Sequence, residues 1–361
     1  MKIYQGTNIG GYFSQVEKIT EDHINNFITE KDIQQIKDWN FNIIRLPVDH
    51  IFFTKEDNPT EFREDRLKHL DRVLKWAKEF NITIILDLHK CPGHSFDSSE
   101  RQFNDIWDSE SKNRDNYLKI WDMLSSRYQN YDNIMYEILN EPVAPTNQLW
   151  FDLVEETIKS IRKNDKEHYI VVESNLWGDS PNFEMKKFDD EKIFYSFHYY
   201  QPLFITHQLA PWTKFYKLKL YQKLTDYPGN INVSPEFFEK IEKAEPIYAN
   251  FFKHGVNRFW DKNALEEMLK PVIEFKNKYN VPMLCGEFGV FIGAEVQTRT
   301  NWLNDLISLF KKHDISYTYW TYKNMDFGII DYTEQYAENP NYSKDERLDC
   351  NTLKDLQSGF L

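Results

Sequence analysis

Cysteine is scarce in this chain. Three residues, Cys91, Cys285 and Cys350, stand far apart in 361 positions, which supplies neither a disulfide framework nor a spacing suited to zinc. Free thiols are expected. Positive charge is also in short supply: Asp and Glu outnumber Lys and Arg by 57 to 44, for a net charge of -13 and a pI near 5.3. Such a surface repels phosphate backbones and anionic lipid, so neither nucleic acid nor a membrane is expected as a partner, and a neutral substrate fits better. No run of about 18 apolar residues appears, and the opening "MKIYQGTNIGGYF" carries no apolar leader. Location stays open between the cytoplasm and, if a leader has been trimmed, the cell exterior. A glycine-rich G-x-G-x-x-G turn is missing after every candidate strand, which counts against a doubly wound nucleotide-binding sheet. Nor does any internal repeat or low-complexity segment stand out.

Apolar and aromatic residues are plentiful, at 41% and 16% of the chain, enough for a large core and a ring-lined groove. Short β-branched runs recur eight times: 2-10, 42-47, 82-89, 133-141, 169-174, 193-199, 281-289 and 315-322. Between most of them lie helical patterns, such as Ile33, Ile36 and Trp39, or Leu265, Met268, Leu269 and Val272. Thr29 and Asp32 approximate a capping box ahead of the first. Strand alternating with helix predicts an α/β protein, a (β/α)8 barrel, with residues 1-361 forming a single catalytic domain. The sixth and seventh strands are spaced too widely. Residues 199-260 hold 15 aromatics in 62 positions, including "FITHQLAPW" and "YANFF". A small, mainly helical inserted subdomain over 201-260, above the barrel mouth, is expected; an aromatic satellite core without ligand contact is the alternative.

In such a barrel chemistry sits where strands stop. The candidate strands stop at Arg45, His89, Asn140 with Glu141, Glu173, His198 with Tyr200, Glu287, and Trp320. Any one glutamate at a strand end reads most simply as a solvated turn residue, and Arg45 as a structural ion-pair partner; the joint pattern carries more weight. Glu141 and Glu287 fall on the fourth and seventh strands, which face each other. Two carboxyls across a cleft are the minimum for glycoside hydrolysis, one protonating the leaving oxygen and the other attacking the anomeric carbon. Arg45 would hold one ionised, while a less charged setting raises the pKa of the other. His89, His198 and Tyr200 would supply hydrogen bonds, and Trp320 a flat face for a sugar ring. Glu137 shares strand parity with Glu141 but lies deeper, in a buried polar network. Cys285 reads as packing. His89 and His94 lack further ligands, so no metal and no cofactor are expected.

At these residues the chain resembles glycoside hydrolase family 5, the cellulase family. The segments "GTNIGGYFSQ", "IIRLPVD", "LDLHKCPG", "EILNEP", "FHYYQPLFITHQ", "CGEFGV" and "YWTYKNMDFGI" occur in the family's order over residues 5 to 328, and the chain looks most like its compact clostridial endoglucanases. The resemblance implies Glu141 as general acid/base and Glu287 as nucleophile. It also implies that Asn140 bonds the 2-hydroxyl, that Arg45 and Tyr200 orient Glu287, that His89 and His198 complete the subsite, and that Trp320 is the stacking platform. Two departures stand out. Lys90 takes the place of a second histidine found in many relatives, and Tyr12 the place of a tryptophan, which would weaken stacking on the minus side. The expected activity is a retaining endo-β-1,4-glucanase acting on a cellulose-type or mixed-linkage β-linked polysaccharide or oligosaccharide, as a monomer. The alternatives are a related enzyme for mannan, xyloglucan or β-1,3-glucan, a non-catalytic carbohydrate-binding barrel, or a barrel enzyme for phosphate substrates, which the acidic surface disfavours.

Overall fold

In a computed structural model the described residues are 2-360, except 17, 97-99, 101-103, 245, 247-248, 250-251, 253, 335-338, 340-341 and 344-345. Eight parallel strands close a barrel: β1 (Gln5–Asn8), β2 (Ile43–Asp49), β3 (Thr83–Lys90), β4 (Ile134–Glu137), β5 (Ile170–Glu173), β6 (Ile193–Tyr199), β7 (Met283–Phe288) and β8 (Ser316–Tyr319). Each pairs with its neighbour in sequence, and β1 closes on β8 through Thr7 opposite Tyr319.

The strand period of two sorts the residues into layers. Ile43, Ile85, Met135, Val171, Phe194 and Leu284 pack together as an apolar plug. Two positions further along β2, β3, β4 and β5 come Arg45, Asp87, Glu137 and Glu173, all buried. Intervening residues such as Ile44, Leu86, Tyr136 and Val172 join the larger core shared with the helices. The polar layer therefore rests on an apolar one and forms the floor of the barrel mouth.

Two bulges adjust that floor. Opposite β2, Val48 pairs with Leu88 but Asp49 with Lys90, leaving His89 as the extra residue. Opposite β6, Cys285 pairs with Phe197 but Glu287 with His198, leaving Gly286 extra. A bulge bends its strand and re-aims the side chains beside it. Both are at candidate site residues.

Helices Glu30–Asp38, Glu64–Glu79, Asn147–Arg162, Lys262–Tyr279 and Val296–Lys312 bury the apolar faces read from their periodicity. The Thr29 backbone N–H donates to Asp32 Oδ2 at 2.8 Å, as the capping box requires. The alternation has two differences from expectation. Helix Lys112–Tyr128 carries no clean apolar stripe, because its buried face includes Arg114, Asn116 and Ser125. Between β5 and β6 there is no α-helix among the described residues, only a 3-10 turn at Ser180–Asn182.

The segment after β6 holds helices Leu203–Thr206, Lys214–Lys217 and Pro235–Ala244, plus an antiparallel strand pair, Gly229–Ile231 with Arg258–Trp260. Phe204 gathers the rings of Phe215, Tyr221, Phe237 and Phe252 at centroid distances of 4.6 to 5.5 Å. Of "YANFF", only Ala249 and Phe252 are among the described residues.

Candidate active site

Arg45 is the hub of the barrel floor. Its guanidinium, fully buried, lies 2.6 Å from Glu137 Oε2, 3.0 Å from Asp87 Oδ2 and 2.6 Å from Glu287 Oε1. It also donates to Asn8 Oδ1 at 3.0 Å and to Asn140 Oδ1 at 2.7 Å. A single cation cannot balance this many buried acids. Burial accordingly pushes Asp87 and Glu137 up to about 7 against the pull of Arg45. Glu137 thus belongs to a buried polar network, as its parity with the strand end predicts.

Glu287 is held at both oxygens, by Arg45 at Oε1 and by the Tyr200 hydroxyl, which donates to Oε2 at 3.1 Å. Glu141 stands opposite, 18% exposed against 7% for Glu287. One oxygen of each carboxyl and a ring nitrogen of His198 all lie within 4.8 Å of one another. His198 Nδ1 is 3.1 Å from Glu141 Oε1. Burial, and then the charge of Glu287, raise the Glu141 carboxyl well above the ordinary carboxylate range. Burial raises Glu287 as well, but the charge and the hydrogen bond of Arg45 oppose it. Glu287 therefore ionises first.

The run 133-141 is not strand throughout. Strand β4 stops at Glu137; Ile138 and Asn140 still donate backbone hydrogen bonds to Val171 and Leu88, and Glu141 then turns at a φ of +46°. A non-glycine residue in that region is uncommon and strained. The Glu141 N–H donates to Glu173 Oε2 at 2.9 Å, which secures the turn.

The remaining predicted residues meet at the same place. A cavity of about 650 Å³ is lined by His89, Asn140, Glu141, His198, Tyr200, Glu287 and Trp320, with Arg45 beneath. Asn140 Nδ2 is buried with no hydrogen-bond partner among the described residues, and since Arg45 occupies its oxygen, the amide has a donor left for a ligand. His89 Nδ1 lies 2.7 Å from Asp87 Oδ2, and burial lowers its pKa to about 4, so the ring is neutral. Its plane is 7° from that of Trp320, with centroids 5.9 Å apart. A hollow of about 790 Å³ is larger, but its acids Asp105, Asp152, Glu155 and Glu156 are accompanied by Arg114 and Lys159, and it contains none of the strand-end residues; the chemistry converges in the smaller one.

Several lining residues escaped sequence reasoning. Phe96, Trp177 and Asp179 come from loops after β3 and β5, and His207, Trp212 and Phe215 from the segment after β6. The aromatic richness of that segment was the signal for the last three; "NLWGDS" after β5 was the signal for Trp177. Tyr12 stands apart from the cavity. It is fully buried, donates its hydroxyl to Ile24 O at 2.8 Å and does not line the cavity, so it offers no stacking surface. Lys90 turns away to Glu100, at 3.1 Å. Cys285 is buried, its thiol donating to Glu287 O at 3.3 Å. Two trios, Glu137 with Glu173 and His198, and Glu141 with His198 and Glu287, bring possible metal ligands together, but the buried Arg45 cation among them opposes a second positive charge.

Comparison with known proteins decides the family. The sequence profile of the cellulase family (glycosyl hydrolase family 5) matches residues 5–326. Endoglucanase C of Acetivibrio thermocellus is 36% identical over 328 residues, 90% of this chain and 92% of that protein. The chain belongs to glycosyl hydrolase family 5. Cellodextrinase A of Ruminococcus flavefaciens is also similar, at 30% identity over 87% of this chain and 84% of its own. Among solved structures, that of a glycoside hydrolase superposes with a TM-score of 0.79 at 21% identity, covering 99% of both chains; that likeness bears on the fold alone. The profile spans β1 to the loop after β8, so this family 5 hydrolase carries its whole barrel within the matched region.

Proposed function

We propose that this glycosyl hydrolase is a retaining endo-β-1,4-glucanase in which Glu287 is the nucleophile and Glu141 the general acid/base. The observation that carries the reading is the carboxyl pair, with oxygens within 4.8 Å, one acid clamped by Arg45 and Tyr200 and the other not. Retention uses carboxyls roughly 5 Å apart, whereas inversion needs more than about 6.5 Å to admit a water. Glu287, ionised, attacks the anomeric carbon while Glu141, kept protonated by burial and by the charge opposite, protonates the departing oxygen. Glu141 then deprotonates the water that releases the glycosyl-enzyme. Asn140 Nδ2 donates to the sugar 2-hydroxyl, His89 and His198 border the same subsite, and Trp320 carries a pyranose face. A β-1,4-glucan as substrate draws support from the names of the endoglucanase and cellodextrinase relatives. The protein acts as a monomer, which light scattering tests.

Alanine variants test the roles. Glu141→Ala and Glu287→Ala should each lower turnover of a soluble β-glucan by on the order of a hundredfold or more while unfolding normally. Azide should restore turnover of an activated aryl cellobioside, giving a β-glycosyl azide with Glu141→Ala and an α-glycosyl azide with Glu287→Ala. The reverse pairing of products would exchange the two roles.

A further inference from the structure

Behind the carboxyl pair lies a third acid that the chemistry above leaves unused. Glu173 ends β5, and its side chain is fully buried. Its Oε2 accepts the Glu141 backbone N–H at 2.9 Å and lies 3.5 Å from His198 Nε2. The other nitrogen of that ring, Nδ1, is 3.1 Å from Glu141 Oε1. Glu173 therefore reaches Glu141 by two routes, one through the backbone and one through the imidazole.

The surroundings are shaped to keep the acid there. At Gly178, with φ of +65°, an added Cβ would fall 2.1 Å from Glu173 Oε1 and 2.9 Å from the backbone nitrogen of His198, so only glycine leaves room. Glu173 Oε1 and His198 Nε2 have no hydrogen-bond partner among the described residues. Bonds of this kind are often long without substrate and tighten when it binds. The backbone that Glu173 holds is the strained one, Glu141 at a φ of +46°.

Resting on the assignment of Glu141 as proton donor, we propose that Glu173 is a positioning residue for that donor: its Oε2 fixes the left-handed turn of Glu141 and backs the His198 ring that contacts the Glu141 carboxyl. Burial, and then the charges of Glu137 and Glu141, push the Glu173 carboxyl well above the usual carboxylate range. Accepting the Glu141 N–H needs only a side-chain oxygen, so an amide can replace the carboxyl.

The test compares two substrates. Hydrolysis of a cello-oligosaccharide needs protonation of its leaving oxygen, whereas loss of 2,4-dinitrophenolate from its cellobioside does not. Glu173→Leu should lower kcat/KM on the oligosaccharide by about tenfold or more, since a misplaced donor forfeits much of its contribution, and on the dinitrophenyl cellobioside by less than about twofold. Glu173→Gln should return the oligosaccharide value to within about threefold of the wild type. If the leucine variant does not fold, Glu173→Asp, which withdraws the oxygen by one methylene, should give the same selective loss. Equal losses on both substrates, no loss on either, or no rescue by glutamine would overturn the proposal. Glu141→Ala is assayed alongside. If it too lacks selectivity, the donor assignment has failed; if it is selective and Glu173→Leu is not, only the role of Glu173 has.

Discussion

At the scale of residues, the site is organised by three buried acids, Asp87, Glu137 and Glu287, that share one guanidinium. In the proposed mechanism Glu287 must be ionised to attack, so activity should rise with pH through its pKa; Glu141 must be protonated, so activity should fall as pH rises through its own. Burial shifts both upward, and the charge of Glu287 adds to Glu141. Removing that charge therefore lowers the Glu141 pKa: in Glu287→Gln, carbon-13 NMR of the labelled Glu141 carboxyl should show titration at lower pH than in the wild type. An unchanged or higher value would mean that burial alone sets the acid. Much of this could be read from sequence, since seven of the eight strand ends carried an ionisable or aromatic residue. The left-handed turn at Glu141 could not, because a positive φ leaves no mark on a non-glycine residue. Nor could the burial of the Tyr12 ring, which packs against Phe13, Phe27 and His23.

At the scale of elements, the period of two placed the ionisable layer above the apolar plug, and that alternation is visible in the bare sequence. The bulges at His89 and Gly286 are not visible, since one extra residue in a strand only shows when the partner strand is alongside. Helix Lys112–Tyr128 was hidden by the polar residues on its buried face. The segment after β6 has a separate aromatic centre in Phe204, which is fully buried. Phe204→Ala should cost about 3 to 5 kcal/mol, with the loss concentrated locally. Hydrogen exchange should accelerate across residues 203-260 while β2, β3 and β7 remain protected. Uniform acceleration through the barrel would show that the segment and barrel unfold as one unit.

At the scale of the whole molecule, the net charge of -13 sits on a protein whose cavity is lined mainly by rings, amides and histidines made neutral by burial. A neutral glucan should be bound almost independently of salt: KM should move by less than about twofold between roughly 0.05 and 0.5 M sodium chloride, because screening acts on charged partners. A tenfold change would mean that the ligand carries charge. Barrel architecture was the most legible feature of all, eight strands in order, while the loops that finish the cavity, with Trp177, Asp179 and Trp212, depend on tertiary placement that periodicity does not encode. The central claim is a double displacement through Glu287, and the stereochemistry of the first product tests it most directly. Time-resolved proton NMR of a soluble mixed-linkage β-glucan should show the β-anomer of the new reducing end before mutarotation sets in; the α-anomer appearing first would contradict the assignment of both glutamates.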